Sequence, residues 1–285
     1  MSYSERALAF DCGGESLYGI ASVPEQPAER GVLIVVGGPQ YRVGSHRQFT
    51  LLARSLAAQG IAAMRFDYRG MGDSHGPART FEDVQHDLRA AVDHFMSAVP
   101  QVREVVIWGL CDAASAALFY AADDARVSGL VLLNPWVRTA DGFAKATIKH
   151  YYRDRLFSPG LWKKIFSGQF DYAAAAGSFV RLVRTASAGG SKQKDAAATA
   201  GDAPLPERML AGWGRFKGKV LLILSGNDLT AKEFTDVVNA SDPWQRQLKA
   251  ARVTQRALAP ADHTFSRREW RDQVSNWTTE WVRSW

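Results

Sequence analysis

Four nearly unbroken apolar runs, VLIVV (32–36), EVVIW (104–108), VSGLVLLN (127–134) and KVLLILSG (219–226), constrain this chain more than any other feature. A strand that reads apolar at every position is buried on both faces, which requires a sheet covered by helices on both sides and hence mostly parallel pairing. IAAMRF (61–66) is a fifth such strand, ALAF and LYGIASV predict two short strands around a Gly-Gly turn, and ARVTQRALA (251–259) predicts the last. Helix signals separate them. One helix runs through Phe49, Leu52 and Leu56 and closes at Gly60; another opens at Thr80 through the capping-box-like TFED, with its apolar stripe at Phe81, Val84, Leu88, Val92 and Phe95, and ends at Pro100. AASAALFYAA has the small-residue composition of a helix packed close to a sheet, a further helix covers Ala231 to Ala240, and Trp270, Val274, Trp277, Trp281 and Trp285 mark the buried side of a terminal helix. The expected fold class is α/β, with a mostly parallel central sheet and helices on both faces.

At 285 residues the chain suits one large α/β domain with an insertion. The alternation stops after Pro135, so residues 1–135 and 218–285 are expected to form the core and 136–217 an inserted lid, with a flexible stretch near 186–204 where ASAGGSKQKDAAATAGDAP is low in complexity. The net charge of +6 is concentrated in this middle part: Arg138 to Lys217 holds 14 Lys and Arg against 6 Asp and Glu, which leaves −2 for the rest. A basic segment suits an anionic substrate or acyl carrier, and equally a solvated surface. Its aromatics Phe143, Tyr151, Tyr152, Phe157, Trp162 and Phe166 suit an apolar acyl group, and equally the lid's own packing. The first residues show no basic start followed by an apolar stretch, and the long apolar segment from Val105 to Ala122 is broken by Gly109 and Asp112, so a cytoplasmic location without a membrane span is expected. Two cysteines without a CxxC pair imply neither a disulfide framework nor a metal site. No cofactor is implied, and the absence of a phosphate-cradling loop or a base-reading motif points away from nucleotides and nucleic acid.

The hexapeptide WGLCDA (108–113) follows the strand EVVIW and precedes a helix. A free cysteine is often a small core residue, and this stretch alone leaves that reading open. The alternative is a sharp strand-to-helix turn that presents a nucleophile, usually written G-x-S-x-G; here Cys111 is the apex, and Gly109 and Ala113 are the small flanking residues. In that arrangement the acid follows a later strand and the histidine follows the last one. Asp228 lies just past KVLLILSG, and His263, the only histidine beyond residue 150, lies just past the final strand. The oxyanion site needs the N–H of the residue after the nucleophile, Asp112, and one from the loop after the third strand, GGPQYRVGSHRQF. Pro39 has no N–H, so Gln40 is the expected donor. Gly38, Arg42 and His46 in the same loop are candidate substrate contacts, with surface or helix-start roles as the alternative. RFDYRGMGDS (65–74) is read as a structural turn stabilised by Asp67 and Arg69. The Asp112 side chain either complements the helix N-terminus or opposes thiolate formation at Cys111.

Taken in order, GGPQ, RFDYRGMGDS, the G-x-C-x-A turn, GND and DHTF resemble the α/β-hydrolase superfamily along nearly the whole chain. More narrowly, GGPQYRVGSHRQF together with GLCDA resembles the type 1 exosortase-A-system-associated hydrolases of bacteria, named for genes that accompany exopolysaccharide production and protein sorting. The superfamily resemblance implies Cys111 as nucleophile, Asp228 as acid and His263 as base. The expected function is therefore an acyl hydrolase of carboxylesterase or thioesterase type that forms a covalent thioester, acting on a small acyl ester or thioester. Two alternatives accompany it: an acyltransferase moving the acyl group from a carrier to an amine or hydroxyl, and a non-catalytic scaffold of a polysaccharide or sorting complex.

Overall fold

The computed structural model describes residues 2–38, 40–138 and 203–285. A single eight-stranded sheet organises them, in the order β1-β2-β4-β3-β5-β6-β7-β8. Strands β1 (Tyr3–Cys12) and β2 (Glu15–Pro24) form an antiparallel hairpin around Gly13 and Gly14, both at positive φ, and β2 runs antiparallel to β4 (Ala63–Asp67). From β4 onward every pair is parallel: β3 (Arg30–Val35), β5 (Glu104–Leu110), β6 (Val127–Leu133), β7 (Lys219–Ser225) and β8 (Val253–Leu258). The apolar runs are the centre of this sheet, with Val32 to Val35, Val105 to Ile107 and Leu130 to Leu133 wholly buried. The α/β-hydrolase fold expected from the motif order is the observed one.

Helices cover both faces. On one, α1 (Gln48–Ala58) packs against the terminal helix, residues Arg268–Arg283; on the other, α2 (Gln85–Ala98) and α3 (Asp112–Tyr120) lie side by side, and α4 (Leu205–Arg215) packs on α3. Two further helices, α5 (Leu229–Asn239) and α6 (Asp242–Leu248), continue that second layer before the terminal helix, α7. Helix α6 has no counterpart in the sequence reading. Its Trp244, 2% exposed, lies edge-on to Trp213 of α4 and Phe234 of α5, tying three helices together. Trp281 of α7 is buried, and Trp270, Trp277 and Trp285 rest partly buried against the core.

One helix begins later than its sequence suggests. Residues 80–83 form a turn closed by the Asp83 N–H on Thr80 O (2.9 Å), and α2 starts at Gln85. Asp83 is drawn to Arg79 (2.5 Å) instead of reaching back to cap Thr80, while Phe81 stacks on Phe119 of α3. The expected lid falls largely on residues 139–202, outside the described residues. Among the described residues, no helix is long and apolar enough to cross a membrane.

Candidate active site

The parallel strands deliver their following loops to one end of the sheet, where a ligand site forms in folds of this kind. Strand β5 ends at Leu110 and α3 begins at Asp112, so Cys111 alone makes the turn, at φ 64° and ψ −124°. This backbone conformation is strained for a residue with a side chain, and the surroundings hold it in place. The Cys111 N–H donates to Leu133 O (2.9 Å), and Cys111 O accepts from Ala114 (3.1 Å) and Trp136 (3.2 Å). Gly109 is required for a steric reason: a Cβ there would lie 2.6–2.8 Å from backbone atoms of Ala113 and Ala114. Alanine is tolerated at 113 because the facing residue is Gly37, whose own Cβ, were it present, would sit 3.2 Å from the Ala113 methyl.

The acid and the base arrive from the next two strand ends. Asp228 follows β7 and caps α5, accepting from the N–H groups of Thr230 and Ala231, both at 3.1 Å. These bonds orient the nearly buried carboxylate, whose Oδ2 lies 2.9 Å from His263 Nδ1. Burial opposes protonation of His263, but hydrogen bonding and charge interaction with Asp228 and Cys111 outweigh it and push the pKa up to about 10. Cys111, Asp228 and His263, distant in sequence, thus form one connected chain of contacts.

Sequence reasoning missed Asn134, which holds the histidine loop. Fully buried at φ 43°, it donates from Nδ2 to His263 O (3.0 Å) and Ser225 Oγ (2.6 Å), while its Oδ1 accepts from Ser225 N–H (2.9 Å). It therefore splices the ends of β6 and β7 to the His263 backbone. An Asn closing the run VSGLVLLN just before Pro135 is the only sequence signal for it.

A cavity of about 420 Å³ opens over this constellation, lined by Cys111, His263, Asp112, Gly38 and Gln40, with Trp136 and Phe81 as apolar walls. The sequence-predicted contacts divide here. Gly38 and Gln40 line the cavity, but the Gln40 N–H, expected to face an oxyanion, donates to Gly38 O (2.8 Å). Arg42 and His46 are not among the lining residues. The Arg42 guanidinium is tied to Asp67 and to Asp73, and its N–H donates to Asp67 Oδ1 (2.5 Å), so the charged stretch 65–74 serves to fix this loop. Arg69 pairs with the fully buried Asp87 of α2 (2.8 Å), also a structural contact.

Residues 27–163 match the family described as Serine aminopeptidase, S33. A stretch of 103 residues, 35% of this chain, is 32% identical to the protein named quorum-quenching protein AidA of Acinetobacter baumannii, and spans 33% of that relative's length. Among solved structures, an esterase of Pyrococcus furiosus superposes with a TM-score of 0.66 at 15% identity, covering 99% of this chain and 92% of its own. A dienelactone hydrolase of Anabaena variabilis gives 0.58 at 16% identity, covering 99% and 97%. These comparisons correct two expectations. The matched family implies a serine nucleophile, which overturns the expected Cys-His-Asp mechanism through a covalent thioester; position 111, within the matched stretch, carries Cys where that family implies Ser. The family model that matches residues 27–163 is the S33 one, which gives no support to the expected link to exosortase and exopolysaccharide systems, and that link is withdrawn.

Proposed function

We propose, for a chain that belongs to the α/β-hydrolase superfamily, that it hydrolyses carboxylic ester bonds in the cavity above the turn at residue 111. The observation that carries this reading is the Asp228–His263 pair, joined at 2.9 Å and turned toward that apex inside a cavity of about 420 Å³. Such a pair takes a proton from the water that adds to the acyl carbon and returns it to the alcohol oxygen as the C–O ester bond breaks, giving acid and alcohol, while the carboxylate fixes the imidazole tautomer. Asp228, already oriented by two backbone N–H groups, needs no reorganisation to do so.

The oxyanion donors are assigned to the N–H of Asp112, at the positive end of α3, and the N–H of Gly38. Gly38 takes this role in place of Gln40 because the Gln40 N–H points back along its own loop to Gly38 O, whereas the Gly38 N–H points across to the start of α3, where it donates to a side chain, the Asp112 carboxylate, that lines the same cavity. Trp136 and Phe81 supply an apolar wall for the acyl chain. The names of the structural relatives, an esterase and a dienelactone hydrolase, extend the test to lactones as well as open-chain esters.

The test is hydrolysis of a p-nitrophenyl ester series from about two to twelve carbons, plus simple lactones, by the wild type, Cys111→Ser and His263→Ala. Expected are turnover by the wild type, retained or higher turnover by Cys111→Ser, which restores the residue the family implies, and loss in His263→Ala. Turnover that is indifferent to His263 places the reaction elsewhere and ends the proposal.

A further inference from the structure

We propose that the carboxylate of Asp112 is an internal occupant of the oxyanion seat, one that an acyl substrate must displace. Both of its oxygens accept from the Gly38 N–H, at 2.8 and 3.0 Å, across 74 residues of sequence. Burial pushes its pKa up, and the neighbouring backbone N–H groups, that of Gly38 first, offset part of the rise. The Gly38 N–H, one of the two donors assigned above to a developing oxyanion, is therefore the one this side chain already engages. The inference rests on that assignment of the site.

An acidic residue in the first turn of a helix is ordinarily explained by the helix dipole, and such a side chain gains most of that benefit while pointing into water. Asp112 does otherwise. It is partly buried, lines the cavity with Cys111 and His263, and reaches a loop on another strand. That loop is shaped to receive it. A side chain at Gly37 would collide with Asp112 Oδ1, and Gly38 adopts φ +62°, which presents its N–H at little conformational cost only when the residue is glycine. The fit is between a carboxylate and two successive glycines.

An N–H donor serves one anion at a time. A substrate oxygen can use the Gly38 N–H only after the Asp112 side chain rotates away, and the displaced carboxylate stays beside the acyl group. Two properties follow. The resting enzyme carries a built-in competitor that lowers its rate on neutral esters, and it discriminates against anionic acyl groups and against its own carboxylate product, which would compete for an occupied seat.

The experiment uses the full chain as wild type, Asp112→Ala and Asp112→Ser, the last keeping a side chain compatible with a helix start. Acetate is the probe, followed through the Gly38 amide by ¹H–¹⁵N NMR, alongside p-nitrophenyl butyrate hydrolysis. Saturable movement of the Gly38 resonance is expected in the variants and none in the wild type, together with a kcat/KM about tenfold higher, a fraction of the roughly 10²–10³ that one such donor contributes to kcat. Folded variants whose Gly38 amide ignores acetate, or a wild type that responds equally, overturn the proposal, as does a fall in kcat/KM on removing the carboxylate. Acetate binding confined to the variants, with no hydrolysis by any of the proteins, would instead uphold the occupied seat and remove the ester reading.

Discussion

Replacing Gly109 by alanine tests whether the turn at Cys111 is built as described. The added methyl would meet backbone atoms on the first turn of α3 at 2.6–2.8 Å, well inside ordinary contact at about 3.4 Å, so the helix start must retreat by roughly 0.6–0.8 Å. None of the three obstructing atoms belongs to a flexible side chain, so no rotamer change relieves the clash. Overpacking of this kind typically costs about 1–3 kcal/mol, and with the whole first turn involved we expect about 2–3 kcal/mol. For a chain of this size that lowers Tm by about 5–10 °C. Displacing the apex by most of an ångström also shifts the start of α3, with the Asp112 N–H assigned to the oxyanion, relative to His263, with an expected loss of about 10² in kcat. Calorimetry and p-nitrophenyl butyrate kinetics read the two effects. Ala113→Gly is the matched control: it deletes a methyl that faces Gly37, costs only about 1 kcal/mol of helix propensity and retains activity. A Gly109→Ala protein with unchanged Tm and unchanged rate would refute the steric argument.

The remaining predictions concern the charges and the splice. His263 is protonated at neutral pH in the resting site, so kcat/KM is expected to climb from pH 7 toward about 10 as the imidazole loses its proton; Cys111→Ser removes one of the interactions that raise the pKa and moves this limb down. A profile flat from pH 6 to 10 in both proteins would contradict it. Because the folded pKa lies above the usual 6.5, the stabilisation from the His263–Asp228 pair is complete below about pH 6.5 and lost as pH rises through about 10, which chemical denaturation at a series of pH values will show. Asn134→Ala leaves Ser225 and the His263 carbonyl without their partner and is expected to cost about 2–3 kcal/mol and to slow turnover by loosening the base, and Asn134→Asp does not rescue turnover, because a carboxylate accepts from the Ser225 N–H but has no donor for the His263 carbonyl. Asp87→Ala strands the Arg69 guanidinium and is expected to destabilise by about 3–5 kcal/mol by urea denaturation, with kcat unchanged in the protein that remains folded.

Much of this architecture is visible in the sequence because its signals are local. A strand covered on both faces has no polar positions, so VLIVV and KVLLILSG announce a parallel sheet without any knowledge of their partners. Asp228 and His263 are legible for a related reason, since each directly follows a strand and the fold places the ends of parallel strands together. What the sequence hides depends on contacts between distant segments. Nothing around Asp112 indicates that its side chain turns to Gly38, because the approach of that loop is decided by Arg42 and its anchor in Asp67. The expectation for Gln40 took no account of a local detail, the donation of its N–H to Gly38 O two residues back, which the absence of an N–H at Pro39 did not foretell. Helix α6 was overlooked although Ser241-Asp242-Pro243 is a serviceable helix start, because seven residues hold too few apolar positions to display a period. The late start of α2 reflects a competition between Arg79 and the Thr80 backbone for Asp83, which spacing alone cannot rank.

The central claim is that an Asp228-oriented His263 drives ester hydrolysis at the turn. Its most direct test is the single-turnover rate of p-nitrophenyl butyrate cleavage by Asp228→Asn compared with wild type, with folding checked by circular dichroism. The account predicts a loss of about 10³–10⁴ in rate with the fold retained, since the amide places the imidazole in the wrong tautomer. A folded Asp228→Asn protein that cleaves the ester within a few-fold of wild type would contradict it.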